Sequence, residues 1–316
     1  MKKLVLGGVL LLVVALGAIA LSFRAATLPV DSSQPAPLLP VPMRTEGVSL
    51  HAIKAGTMDS TAAFAYRGGR FGDKRVFGMG AILVHHPLGC VLFDTGFGKE
   101  VDEHVKTTPL LMRLTSSYSK EATVAEQLQQ ADIGSDQLLG VVLTHAHWDH
   151  VSGLPDLPGV PVLVTQEEME FIRSGGASTK LARSFTDTQY RVYRYSGGPY
   201  AGFERSIDLF GDGSVVLVPA GGHTPGSVVA FITTSAGKRY ALIGDLVWQK
   251  EGVDLPAERP WLSRRMVDSD PSRVRELLVQ LHRLQQANPE LTIVPAHDRR
   301  VWDALPPLSA VAPASN

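Results

Sequence analysis

Short apolar runs bounded by turn residues recur along the chain, and one long uncharged run stands at its start. After Met1-Lys2-Lys3 no charged residue occurs from Leu4 to Phe23, and the next is Arg24. A basic start followed by such a run predicts an export signal. The run exceeds the roughly 7–15 residues of an ordinary signal core and reaches the roughly 20 needed to span a bilayer. Ala18-Ile19-Ala20 offers a small-residue cleavage pattern, so a removed signal peptide and a retained anchor are both open. Either way Lys2 and Lys3 belong on the cytoplasmic side. The rest is expected to be exported, periplasmic or secreted, touching the membrane only through residues 4–23.

Five prolines (Pro29, Pro35, Pro37, Pro40 and Pro42) follow among small and polar residues, the pattern of a semi-extended tether. The expected organisation is a signal or anchor at 1–24, a Pro-rich linker at 25–42, one catalytic domain at 43–305 and a flexible tail at 306–316. No internal repeat is present. Within the domain, residues 81–84 and 91–93 predict a strand pair, and residues 138–144 a buried strand. Further strands are predicted at 160–165, 214–219, 227–233, 240–244 and 292–294. Residues 123–131 have helical spacing through Val124, Leu128 and Ala131. The strongest helix is Pro271–Ala287, with Asp270 to cap it, Pro271 in its first turn and an apolar face of Val274, Leu277, Leu278, Leu281 and Leu284. Runs of strands with helices between them predict two sheets with helices packed outside, an α/β domain.

Composition narrows the function classes. A net charge of −1 over 316 residues gives no basic field for nucleic acid. Cys90 is the single cysteine, which excludes an intrachain disulfide and a thiolate-rich metal site. It sits in an apolar run and reads as a small buried hydrophobe.

The chemistry is concentrated in Thr144-His145-Ala146-His147-Trp148-Asp149-His150, at the end of the predicted buried strand. His145 and His147 are two apart, so in extended chain both imidazoles project to one side and can grip one ion. Asp149 and His150 follow where the chain must leave the strand and can turn toward a second. Three histidines and a carboxylate suit zinc. Downstream, His223, Asp245 and His297 each stand at or near the end of an apolar run, where a scaffold holds a site rigidly. Any one alone is an ordinary turn residue; three after the cluster make a set of seven.

This set resembles the metallo-β-lactamase superfamily. The signature His-x-His-x-Asp-His is matched by His145 to His150, followed in order by His223, Asp245 and His297, while Asp94 in Phe93-Asp94-Thr95-Gly96 matches an early Asp-Thr-Gly. The resemblance covers about residues 45–300 and implies an αββα sandwich, two mixed sheets flanked by helices, with two zinc ions at one edge. It implies that His145, His147 and His223 hold the first ion and Asp149, His150 and His297 the second, with Asp245 bridging. Asp149 would also orient the nucleophile. True β-lactamases of this fold lack the bridging aspartate, and the di-iron members carry Glu at the position of His147. Hydroxyacylglutathione hydrolases share the Gly-His-Thr-Pro-Gly loop around His223, but their basic glutathione-binding residues find no counterpart. N-acyl homoserine lactone lactonases are similar, except that their tyrosine three residues past the bridging aspartate is here Trp248.

The expected activity is therefore hydrolysis of a small-molecule ester, lactone or thioester. A phosphodiester or sulfate ester is the alternative bond, and a metal-stabilised binding module without turnover the alternative class. Trp248, Trp261 and Met266 are equally compatible with a substrate cleft and with ordinary packing. Residues 190–195, with Tyr190, Tyr193 and Tyr195, fit an exposed strand face better than an aromatic wall over the metals. Oligomeric state is not legible.

Overall fold

The computed structural model describes residues 2–308 apart from 32, 34 and 44, with side chains from residue 11 onward. One sheet has seven strands: β1 (Ser49–Thr61), β2 (Lys74–His86), β3 (Gly89–Phe93), β4 (Ser117–Lys120), β5 (Leu138–Val142), β6 (Val162–Val164) and β7 (Tyr190–Val192). The other has five: β8 (Ile207–Asp208), β9 (Val215–Pro219), β10 (Val228–Thr233), β11 (Arg239–Leu242) and β12 (Leu291–Val294). Helices α1 (Lys2–Ser22), α2 (Ala62–Ala65), α3 (Val101–His104), α4 (Leu110–Thr115), α5 (Val124–Gln130) and α6 (Trp148–Val151) belong to the first half. The second half adds α7 (Gln166–Ser174), α8 (Lys180–Ser184), α9 (Glu251–Asp254), α10 (Trp261–Val267), α11 (Pro271–Ala287) and α12 (Arg299–Asp303).

Both sheets are mixed. The first runs in the order β4-β1-β2-β3-β5-β6-β7 and the second β12-β11-β10-β9-β8. β3, β5 and β6 are mutually parallel, and β11 is parallel to β12. Antiparallel steps from β11 to β10 and from β10 to β9 bring β9 back into the direction of β11. Three apolar layers result, as an αββα sandwich requires. Val84, Phe93 and Val142 of one sheet meet Leu217, Ile232 and Leu242 of the other between the sheets. Leu128 of α5 and Ile172 of α7 cover the outside of the first sheet, and the leucines of α11 cover the outside of the second.

The local chemistry explains the elements. Thr123 and Glu126 form a capping box that starts α5. Asp270 accepts from the backbone N–H groups of Ser272 and Arg273 to start α11, with Pro271 at its first position. Val274, Leu277, Leu278, Leu281 and Leu284 are each no more than 2% exposed, worth roughly 1.5–3 kcal/mol apiece on burial.

Two expectations about the ends need adjusting. Among its described residues the linker has no regular secondary structure, but it lies against the domain: Leu39 is buried, and its N–H donates to Asn288 Oδ1 at 3.0 Å. The first residues of the expected tail are held too, with Ala52 N–H donating to Pro306 O at 2.8 Å. Their backbone found a free edge position beside β1, so pairing replaced fraying. Residues 309–316 lie outside the described ones. Helix α1 covers 21 residues; among the described residues, no helix is long and apolar enough to cross a membrane.

Candidate metal centre

Strand direction assembles the site. β5 ends just before His145, β9 before His223, β11 before Asp245 and β12 before His297, all at one edge of the sandwich. Val228 N–H donates to Thr144 O at 3.0 Å and ties the two sheets together there. Gly244 has φ of +53° and a Cβ there would lie 3.1 Å from the Thr144 side chain, so the turn that delivers Asp245 needs glycine.

All seven predicted residues converge. His145, His147 and His223 offer donor atoms within 4.8 Å of one another; so do His145, His150 and Asp245, and likewise Asp149, His150 and His297. His223 Nε2 lies 3.2 Å from His145 Nε2 and 2.9 Å from His147 Nδ1. Asp245 stands between the groups. Its Oδ1 is 3.0 Å from His297 Nε2 and 3.4 Å from His150 Nε2. Its Oδ2 is 3.6 Å from His223 Nε2 and 4.0 Å from His145 Nε2. Asp149 Oδ2 is 3.3 Å from His297 Nε2.

Outer partners fix which nitrogen faces inward. His150 Nδ1 donates to Asp94 Oδ2 at 2.8 Å, His223 Nδ1 to Asp268 Oδ1 at 2.9 Å, and His297 Nδ1 to Gly78 O at 2.8 Å. Each bond leaves the Nε2 lone pair aimed at the centre, the arrangement seen for metal-binding histidines. Asp94 also accepts from the Thr144 N–H and hydroxyl at 2.7 Å each, which makes it an orienting residue rather than a mere turn.

These donors fit a metal. His150 Nε2 and Asp245 Oδ1 are buried with no hydrogen-bond partner among the described residues, an arrangement that costs free energy unless an ion or water completes it. Burial, with the neighbouring histidines, holds His145 and His147 well below the usual imidazole range, so both are neutral. Burial opposes the charge on His150 and His297 as well, but Asp94 foremost for the first and Asp245 for the second raise them. Against its own burial, Asp245 is held well below the usual carboxylate range by His297 and His150.

Three residues that the sequence did not mark support this arrangement. Glu168 is 1% exposed and accepts from Ala146 N–H at 2.6 Å, the Thr224 hydroxyl at 2.7 Å and Gly226 N–H at 3.0 Å. It thereby ties the loop of His145 and His147 to the loop of His223. Burial pushes its carboxyl up to about 7 while these donors pull it back, and the two N–H partners can only donate, so the ionised form is the one the pocket satisfies. In Glu168→Gln an amide N–H faces at least one of those donors. The expected loss is about 1–3 kcal/mol of stability, read as a lower urea midpoint; an unchanged midpoint contradicts the role. Arg259 and Asp268 are the other two. The Arg259 guanidinium donates to the carbonyls of Leu246 and Asp245, lies 3.5 Å from Asp268 and sits 4.8 Å from the Trp248 ring centre.

A cavity of about 420 Å³ opens over the centre and reaches His147, Asp149, His223, Asp245 and His297. Its other walls are largely apolar, including Met58, Phe64, Phe77, Met112 and Met266. Trp248 lines it and donates its indole N–H to Asp245 Oδ2 at 2.7 Å. Trp248 and Met266 therefore belong to the cleft, whereas Trp261 stands outside it, 43% exposed. Tyr193 and Tyr195 pack edge-to-face on each other at 5.8 Å and line no part of the cavity, but they do not form the expected exposed strand face either: they lie past the end of β7, half-buried against the apolar layer between the sheets.

Residues 81–297 match the model of the metallo-beta-lactamase superfamily. A probable metallo-hydrolase of Mycobacterium tuberculosis is 28% identical over 278 residues, covering 79% of this chain and 80% of that protein. An N-acyl homoserine lactone hydrolase solved with N-hexanoyl-L-homoserine at its catalytic metal center gives a TM-score of 0.66 at 17% identity, over 84% of this chain and 98% of that one. A mutant of B. thuringiensis AiiA with N-decanoyl-L-homoserine at its active site gives 0.67 at 18%, over the same shares of 84% and 98%. With the family match covering more than half of the chain and the whole histidine–aspartate cluster, this chain belongs to the metallo-β-lactamase superfamily.

Proposed function

We infer that the chain is an exported dinuclear zinc hydrolase acting on an ester, lactone or thioester. The observation that carries this reading is the position of Asp245, one carboxylate with an oxygen toward each of two donor groups. His145, His147 and His223 would hold one ion, and Asp149, His150 and His297 the other, with Asp245 shared. When bound, such a pair supplies Lewis acidity and lowers the pKa of water near it.

The residues of the chain do the rest. Asp149 lines the cavity with an oxygen near His297 and is placed to orient the attacking water and accept its proton. Trp248 holds Asp245 in its shared position through the indole N–H, so it serves that carboxylate rather than standing in for the lactonase phenol. The apolar walls exclude bulk water and suit an acyl chain. Solved neighbours holding N-hexanoyl- and N-decanoyl-L-homoserine support a lactone or similar ester, and the uncharged run from Leu4 to Phe23 supports export. Side-by-side assays of a lactone, an aryl ester, a thioester and a phosphodiester test the reading. Turnover of carbonyl substrates at least 10-fold above the phosphodiester is expected; the reverse order, or none, overturns it.

The two donor groups should also part company in acid. An imidazole must be neutral to bind a metal. His145 and His147, held low, remain neutral below the usual range near 6.5, whereas His150 and His297, held high, take protons above it. Dialysis at stepped pH with metal analysis should therefore release the ion of the His150–His297 group first. Loss of both in one step contradicts this.

A further inference from the structure

Part of the exposed apolar surface surrounds the cavity. Helix α4 lines the cavity with Leu111 and Met112 and turns Leu110 and Leu114 outward, 62% and 73% exposed. Helix α10 lines it with Leu262 and Met266 and turns Trp261 outward. Phe71 is 60% exposed beside Phe64, a wall of the cavity, at a ring distance of 5.8 Å. The end of α1 is fastened here: Ser22 Oγ accepts from Trp261 N–H at 3.2 Å, and the Phe23 ring lies 5.1 Å from Phe71.

What covers this surface is indicated by α1 itself. Leu11, Leu12, Val13 and Val14 are all exposed, and four consecutive positions sweep roughly 300° around a helix axis. A protein partner covers one stripe of a helix; an apolar solvent covers every face. Charge points the same way. Arg70 beside Phe71, Arg113 within α4 and Arg265 within α10 are exposed and take part in no ion pair among the described residues. Cations interleaved with aromatic and aliphatic side chains at a rim match the anionic headgroup layer of a bilayer.

We propose that the cavity mouth is a lipid-docking surface: α4, α10 and the Phe71 turn rest on an anionic bilayer beside α1. The cavity then takes from that bilayer an ester with a long acyl chain, and this substrate half rests on the hydrolase reading. Docking does not, and it does not require α1 to cross the membrane. An amphiphile entering from lipid would keep its acyl chain in apolar surroundings from bilayer to the walls formed by Phe64, Met112 and Met266.

The test uses the full chain. Cys90 is buried, so a Leu114→Cys variant takes an environment-sensitive fluorophore at one place, and a Leu139→Cys variant, at the far end of β5, serves as control. Vesicles of phosphatidylcholine with about one-quarter phosphatidylglycerol and a nitroxide-bearing lipid are added. At position 114 we expect at least twofold quenching and a blue shift, weaker on pure phosphatidylcholine, with position 139 unchanged. A label at 114 as wet as that at 139 overturns the proposal, as does a blue shift without vesicles that tracks self-association. The Leu110→Ser/Leu114→Ser double variant should hydrolyse a short soluble ester within twofold of the parent and a vesicle-embedded long-chain ester at least 10-fold more slowly. Equal effects on both overturn the substrate half. If neither protein turns over any ester, the hydrolase reading fails, while quenching still decides docking.

Discussion

Asp245→Asn is expected to lower turnover about 10³-fold, the equivalent of about 4 kcal/mol of transition-state stabilisation. The substitution keeps the shape of the side chain and changes what it can accept. Trp248 N–H donates to Oδ2 at 2.7 Å, so the amide oxygen settles there. The amide nitrogen then faces His150 and His297, whose Nε2 atoms lie 3.4 and 3.0 Å from Oδ1. That group loses its shared anionic donor and gains N–H groups it cannot use. Metal analysis should find the ion of the His150–His297 group missing while circular dichroism remains native. Two ions and full activity in this variant would contradict the shared role of Asp245.

The largest loss of stability is expected from Arg259→Met. Arg259 and the carboxylate of Asp268 are both about 1% exposed in their side chains and 3.5 Å apart. Methionine leaves that carboxylate buried without its cation, and breaking a buried pair from one side costs about 3–5 kcal/mol. The guanidinium also holds the carbonyls of Asp245 and Leu246 and packs on Trp248, so the turn carrying Asp245 loosens as well. Urea unfolding should place the midpoint well below that of the parent. Adding Asp268→Asn should recover part of the loss, because the two residues share one interaction; a single-variant cost below about 1 kcal/mol contradicts the assignment.

The contrast between these two residues marks what the sequence reveals. Asp245, His223 and His297 are legible because each follows an apolar strand, and His145 to His150 because the histidines are adjacent in the chain. The αββα layering is legible for a similar reason, since strands such as β9 and β10 are short, nearly continuous apolar runs. Arg259, Asp268 and Glu168 carry no such mark. Asp268 meets His223 across 45 residues of sequence and Glu168 meets Ala146 across 22, and nothing local separates them from surface charges. β1 escapes for a different reason: the shift in its register between Lys54 and Gly56 interrupts the alternation by which a strand is recognised. The cavity is a purely tertiary product, with Met58 and Phe64, Met112, and Met266 arriving from three separate segments. Trp248 stands out in the sequence as a departure from the lactonases, but its bond to Asp245 has no local mark.

The proposed hydrolysis requires two metal ions held by seven side chains. The most direct measurement strips the full-length protein with a chelator and restores zinc stepwise, following metal content and turnover of a lactone or aryl ester in the same samples. Stripping should abolish turnover, two ions per chain should bind, and recovery should complete only with the second. Full turnover by stripped protein, or saturation of binding at one ion with full activity, would contradict that requirement.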